Sequence, residues 1–130
     1  RLRDHLPGAQ RPAGWTGTTP LPGGDLGVAG IPALAAELMR DHPFLSRAFA
    51  LRLAHAYGTR AQQILGDAAS EADLGQRFGD TLTEREVRYL VAKEFARTAE
   101  DVVWRRSKLG LRLSAREVKA LDDWIAAIAP

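Results

Sequence analysis

A chain of 130 residues with no cysteine and a formal net charge of +2 is long enough for one domain with a real core. It is too short to hold a dinucleotide-binding fold beside the helices read below, and disulfide or thiol chemistry is excluded outright. The apolar runs fall far short of the roughly 20 residues that cross a bilayer, and nothing at the start has the order of a signal peptide, so the domain is expected to be soluble.

Residues Arg1 to about Gly30 are rich in proline and glycine and lack a helical apolar period, which predicts an extended entry arm. Its Trp15, Leu21 and Leu26 are expected to pack onto the helices. Pro20 and Pro22 stiffen the backbone and Gly23-Gly24 permits a turn. No phosphate-loop pattern follows, so the stretch PLPGG reads as a plain turn rather than a phosphate cradle. Helices are then predicted over Ile31 to Arg40, Pro43 to Tyr57 closed by Gly58, and Arg60 to Leu65 closed by Gly66, with Pro32 and Pro43 in first turns, where a missing N–H does least harm. A short helical turn is expected at Glu71 to Leu74, then a loop containing Gly75 and Gly79.

Thr83 with Glu86 and Thr98 with Asp101 have capping-box spacing, so two further helices are predicted, joined by a tight turn near Ala96 and Arg97 and stopped at Gly110. Ser114 with Glu117 opens a last helix, on which Val118, Leu121, Ile125 and Ile128 share one face. No strand is expected. The predicted fold is all-α, a small orthogonal bundle of about five or six helices, with a Pro/Gly-rich arm over residues 1–30 and the helical domain over 31–130.

A helical wheel at about 100° per residue places Glu94 within the apolar stripe of Val87, Leu90, Val91 and Phe95. It places Arg106 near the centre of the stripe of Ala99, Val102, Val103 and Leu109. An unpaired buried charge is costly, so Glu94 and Arg106 are read as a structural ion pair across the hairpin, with Arg106 facing another domain as the alternative. Acid–base catalysis by Glu94 has no second titratable group to support it. Trp104 lies on the opposite side of its helix from Val102 and Arg106. It is expected either to be covered by the entry arm or to belong, with Arg105 and Lys108, to a candidate interface with another domain or a second subunit. The cationic excess gathers in Arg97 to Lys119, which suits an anionic or membrane-facing surface or simply a solvated face.

His5, His42 and His55 lack metal-site spacing, so no metal is expected, and the serines lack a nucleophile-elbow frame. A helix pair with basic residues invites comparison with a DNA-reading helix-turn-helix. Here the second helix begins Thr98, Ala99, Glu100, Asp101, and acid at the groove-facing end argues against nucleic acid.

The segment YLVAKEFARTAEDVVWRRSKLGL, Tyr89 to Leu111, resembles the C-terminal domain of the FAD-dependent glycerol-3-phosphate dehydrogenases and the related α-glycerophosphate oxidases. WTGTTPLPGGDL, Trp15 to Leu26, and LAHAYGTRAQQIL, Leu53 to Leu65, resemble the same domain in the same order, so the likeness spans nearly the whole chain. The resemblance implies a parent enzyme that oxidises glycerol 3-phosphate to dihydroxyacetone phosphate, passing a hydride to FAD and electrons to quinone, or to oxygen in the oxidase branch. Gly-x-Gly-x-x-Gly is absent and the chain opens at Arg1 rather than Met, so the sequence reads as an excised domain. It is expected to bind no cofactor, to be inactive alone and to play a structural or interface role. The partners implied are the N-terminal FAD domain of the same chain and, through the basic face, an anionic membrane surface. The implied location is cytoplasmic, or peripheral on the inner face of the cytoplasmic membrane. The other reading is a stand-alone helical interaction domain with a basic face.

Overall fold

The computed structural model describes Gly17 and residues 19–128. Trp15 and His5 lie outside them. Two hydrophobic cores are built in sequence order, and the chain is mostly helical, as expected.

The first core begins with α1 (Gly30–Asp41), which buries Leu34, Ala35 and Leu38, positions one helical turn apart. Its partner α2 (Arg47–Tyr57) buries Phe49, Ala50, Leu53 and Ala54 against it. Pro43 does not enter the first turn of α2, contrary to the sequence reading. The helix starts after Ser46, whose hydroxyl accepts the Phe49 N–H at 3.2 Å and so satisfies one of the free amides at a helix start. A 3₁₀ turn, Gly58–Arg60, leads into α3 (Ala61–Leu65), which stops at Gly66. Ala68 and Leu74 close this core, and buried His42 turns Nδ1 to the Ala68 carbonyl at 2.9 Å.

Of the entry arm, Leu26 packs on the first core, but Leu21 is 81% exposed and does not cover the helices. The PLPGG turn is held instead by backbone, with Gly24 N–H donating to Leu21 O at 2.7 Å and Thr59 N–H to Gly23 O at 3.1 Å. Here two chain segments cross almost in contact. A Cβ on Gly58 would stand 1.7 Å from Gly23 O, and one on Gly23 2.4 Å from Tyr57 O, so only glycine fits either position.

The second core departs from the sequence reading. After a 3₁₀ turn at Glu71–Leu74, opened by a Ser70–Asp73 capping box, β1 (Arg77–Gly79) pairs antiparallel with β2 (Leu82–Thr83). No strand was expected because the two runs are shorter than an alternation pattern can register. The register is irregular between Arg77 and Gly79, and Asp80 makes the turn at a φ of 43°. Phe78 and Leu82 nevertheless point into the core and help to seat α4 (Glu84–Lys93) and α5 (Ala115–Ile128). Leu121 and Ile125 of α5 are fully buried, each worth about 1.5–3 kcal/mol of apolar burial. Trp124 of α5 lies edge-on to Phe78 and beneath the Arg88 guanidinium, 5.1 Å from each.

The second helix of the central pair is not a regular α-helix. Residues Asp101–Arg106 form a short π-helix, opened by the predicted Thr98–Asp101 box and ended where Ser107 gives both its N–H and its hydroxyl to Val102 O at 2.8 Å. The wheel used for an α-helix does not apply to its wider hydrogen-bond ladder. Gly110 is not the left-handed stop either, since Lys108 takes that conformation at a φ of 60° before a one-turn 3₁₀ helix, Leu109–Leu111. Gly110 is small for another reason: a Cβ there would lie 2.5 Å from the Trp104 indole.

Candidate functional site

One side of α2 and the segment running on from the last residue of the π-helix enclose a groove of about 740 Å³. Ala48, Leu51, Arg52, His55 and Ala56 come from successive turns of α2, and Arg106, Ser107, Lys108, Leu109 and Arg112 from the facing segment. The lining holds four cations and no carboxylate. A smaller recess of about 270 Å³ adjoins it through Ala56 and Arg106, and adds Pro22, Tyr57, Arg60, Leu90, Glu94 and Arg105.

The arginines are held by carboxylates. Arg52 meets Glu86 through two hydrogen bonds of 2.8 and 2.7 Å and also donates to Thr81 O at 3.0 Å. Tyr57 donates its hydroxyl to the same carboxylate at 2.6 Å. Glu86 is wholly buried, at the seam where Tyr57 touches both cores. Sequence reading made Glu86 the second half of a capping box with Thr83, yet Thr83 makes no side-chain cap and Glu86 points inward. The reason is energetic. A charge-assisted pair with Arg52 and a phenol outweighs one surface cap bond. Burial, and then the neighbouring Glu86 charge, push the Tyr57 phenol far above its ordinary value. Burial opposes the Arg52 charge, but the Glu86 hydrogen bond and charge raise its pKa all the same.

Glu94 caps α4 rather than lying inside a stripe, and Phe95 beyond it is 77% exposed. Arg106 Nη1 stands 3.1 Å from Glu94 Oε2, its Nη2 donates to Glu94 O at 2.9 Å, and Arg60 reaches the other carboxylate oxygen at 3.0 Å. The side chains of Glu94 and Arg106 are 25% and 44% exposed, so this three-residue bridge sits at the surface. The completely buried charge is Glu86. It went unrecognised because one residue type serves both roles, and no nearby spacing marks the partner Arg52, distant in sequence.

Trp104 is 47% exposed, with its indole against Gly110. Arg105 extends into solvent from a 2.9 Å pair with Asp101, and Lys108 Nζ donates to Trp104 O at 2.9 Å. Hydrogen bonds from the Arg97 N–H and then from Thr98 hold the Asp101 carboxyl below its usual range. These three residues therefore form one exposed ledge beside the groove. His42 is in the first core and His55 in the groove, and among the described residues no three metal-binding side chains gather. No helix among those residues is long and apolar enough to cross a membrane. β2 runs directly into α4 through Thr83 and Glu84, and this junction lacks the glycines that let a dinucleotide pyrophosphate approach a helix start.

The sequence profile of the C-terminal domain of alpha-glycerophosphate oxidase matches residues 15–130. The chain belongs to that family. It is 43% identical over 89% of its length to a glycerol-3-phosphate dehydrogenase of Pseudomonas aeruginosa and 38% identical over 85% to the aerobic glycerol-3-phosphate dehydrogenase of Escherichia coli. It is also 37% identical over 95% of its length to D-erythritol 1-phosphate dehydrogenase of Brucella abortus. The matches span only 22%, 22% and 24% of those relatives. In these relatives the matched domain is thus carried by a larger dehydrogenase.

Proposed function

We propose that this domain serves a larger FAD-dependent dehydrogenase that oxidises glycerol 3-phosphate to dihydroxyacetone phosphate and passes the electrons to quinone. The observation that carries the reading is the match over residues 15–130 together with relatives that act on phosphorylated polyols. The domain's part is structural. Its glycine-free strand-to-helix junction supports a flavin held elsewhere in the parent, in an N-terminal domain. The ledge of Trp104, Arg105 and Lys108 is the contact surface toward that domain or toward the anionic cytoplasmic face of the membrane.

The test uses the parent polypeptide and this chain side by side. The parent is expected to purify with flavin and to reduce a quinone with glycerol 3-phosphate, while the chain alone binds no flavin by absorbance or calorimetry. Arg105→Glu with Lys108→Glu in the parent should lower flavin retention, activity or membrane partitioning. Stoichiometric flavin on the isolated chain would sink the structural reading, and an unchanged double variant would remove the ledge from it.

A further inference from the structure

The groove beside the ledge has unspent hydrogen-bonding capacity. Arg106 uses Nη1 and Nη2 on Glu94 and keeps Nε; Arg112 uses Nη1 on Asp80 at 3.1 Å and keeps Nε and Nη2. Lys108 gives one bond to Trp104 O and, with two N–H groups over, has no carboxylate partner. Arg52 Nε is buried with no hydrogen-bond partner, an arrangement that is normally costly. Glu86, Glu94 and Asp80 are bound to these arginines but do not line the groove. Their effect is to fix the guanidiniums without filling the cavity, which is how a supporting layer preorganises a binding site. The groove is bounded on one side by a π-helix, a form that recurs at functional sites, and Lys108 projects from a left-handed backbone that lysine adopts only at a cost.

We propose that this groove binds the dianionic phosphate group of a phosphomonoester through Arg106, Lys108 and Arg112, with Leu51 and Leu109 beneath it. A monoester phosphate has three terminal oxygens and close to two charges at neutral pH, and so matches three cations each with donors to spare. A phosphodiester, with one charge and two free oxygens, satisfies fewer of them. The ester can be a soluble phosphorylated metabolite or a phosphomonoester lipid headgroup. The site rests on these donors and not on the oxidoreductase reading, so failure of either leaves the other standing.

The experiment titrates the full 130-residue chain with methyl phosphate and with dimethyl phosphate while amide resonances are followed. A second arm uses phosphatidylcholine vesicles doped with phosphatidic acid, a monoester, or with phosphatidylglycerol, a diester. Methyl phosphate is expected to shift the amides of Ser107, Lys108 and Leu109 and to bind at least about tenfold more tightly than the diester. Lys108→Gln with Arg112→Gln should weaken it about tenfold, whereas Arg116→Gln with Lys119→Gln, the same charge change on α5, should alter it by less than about twofold. If the groove pair fails to fold, Lys108→Gln alone decides, since that lysine has no ion-pair partner. Binding of the soluble ester assigns a metabolite, and binding only to phosphatidic acid vesicles assigns a lipid headgroup. Equal affinity for monoester and diester in both arms, equal loss in the groove and α5 variants, or no binding in either arm overturns the proposal.

Discussion

Among the described residues, the two cores each gather twelve buried hydrophobic residues, by different routes. The first is made from α1, α2 and α3, regular helices whose buried residues recur at helical spacing and whose ends are marked by Ser46, Gly58 and Gly66. The second gathers a short bulged ribbon, a π-helix, a 3₁₀ turn and two α-helices around Leu82, Leu90, Val102 and Leu121. Regular helices satisfy their own backbone and so need little from outside. Irregular elements leave backbone groups that side chains must satisfy, as Ser107 does for Val102 and Asp101 does for Arg97 and Thr98. The chemistry of the molecule accordingly collects on the irregular side and along the seam.

That seam is where the comparison can be broken most severely. Glu86→Ala or Arg52→Ala leaves a desolvated charge without its partner and should cost about 3–5 kcal/mol, whereas Glu94→Ala or Arg106→Ala, at the exposed bridge, should cost no more than about 1 kcal/mol. Urea unfolding of the four variants measures both. Replacing Arg52 and Glu86 together by apolar residues should cost much less than the two single changes summed. If the Glu94 variant is damaged as badly as the Glu86 variant, the distinction between seam and surface is wrong.

Tyr57 ties the first core to the same carboxylate. Tyr57→Phe removes a hydrogen bond to a buried charge and should cost about 1.5–3 kcal/mol near neutral pH. The pH dependence has a definite sign. The folded phenol titrates well above its ordinary value of 10.0, so the unfolded chain loses this proton first and stability falls as pH rises past about 10. Stability curves at pH 8 and pH 11 should converge for Tyr57→Phe and the parent chain. An unchanged gap between them would show that the phenol has no part in the alkaline loss.

How much of this was legible in sequence follows the same division. α1, α3, the turn at Glu71–Leu74 and the capped helix α5 could be read because local periodicity and caps specify them without tertiary help. β1 and β2 could not, since Arg77–Gly79 and Leu82–Thr83 gain their pairing only when Phe78 and Leu82 find the second core. Glu86 has the spacing of a cap and the destiny of a core residue, and only Arg52 and Tyr57, brought up from α2, decide between them. The groove escaped for the same reason: its cations were visible as an excess over Arg97 to Lys119, but Arg52 and His55 join them only through the packing of α2.

The smallest effect concerns the exit from α4, where the second core tolerates what the first does not. At both Gly58 and Gly66 the first core uses glycine where the backbone turns to positive φ; at the end of α4 that position is Phe95, with a φ of 58°. Left-handed backbone costs a residue with a Cβ about 1–2 kcal/mol, and Phe95, 77% exposed, recovers little of it by burial. The turn is kept because Ala96 N–H reaches back to Leu90 O at 3.1 Å and Arg106 holds Glu94 O at 2.9 Å. Phe95→Gly keeps both bonds and relieves the strain, but it also frees the unfolded chain, so the net gain should be about 0.5–1 kcal/mol. A rise in melting temperature of a few degrees would register it. A loss of stability instead would mean that the phenyl ring contributes more on the surface, beside Val91 and Ile128, than its exposure indicates.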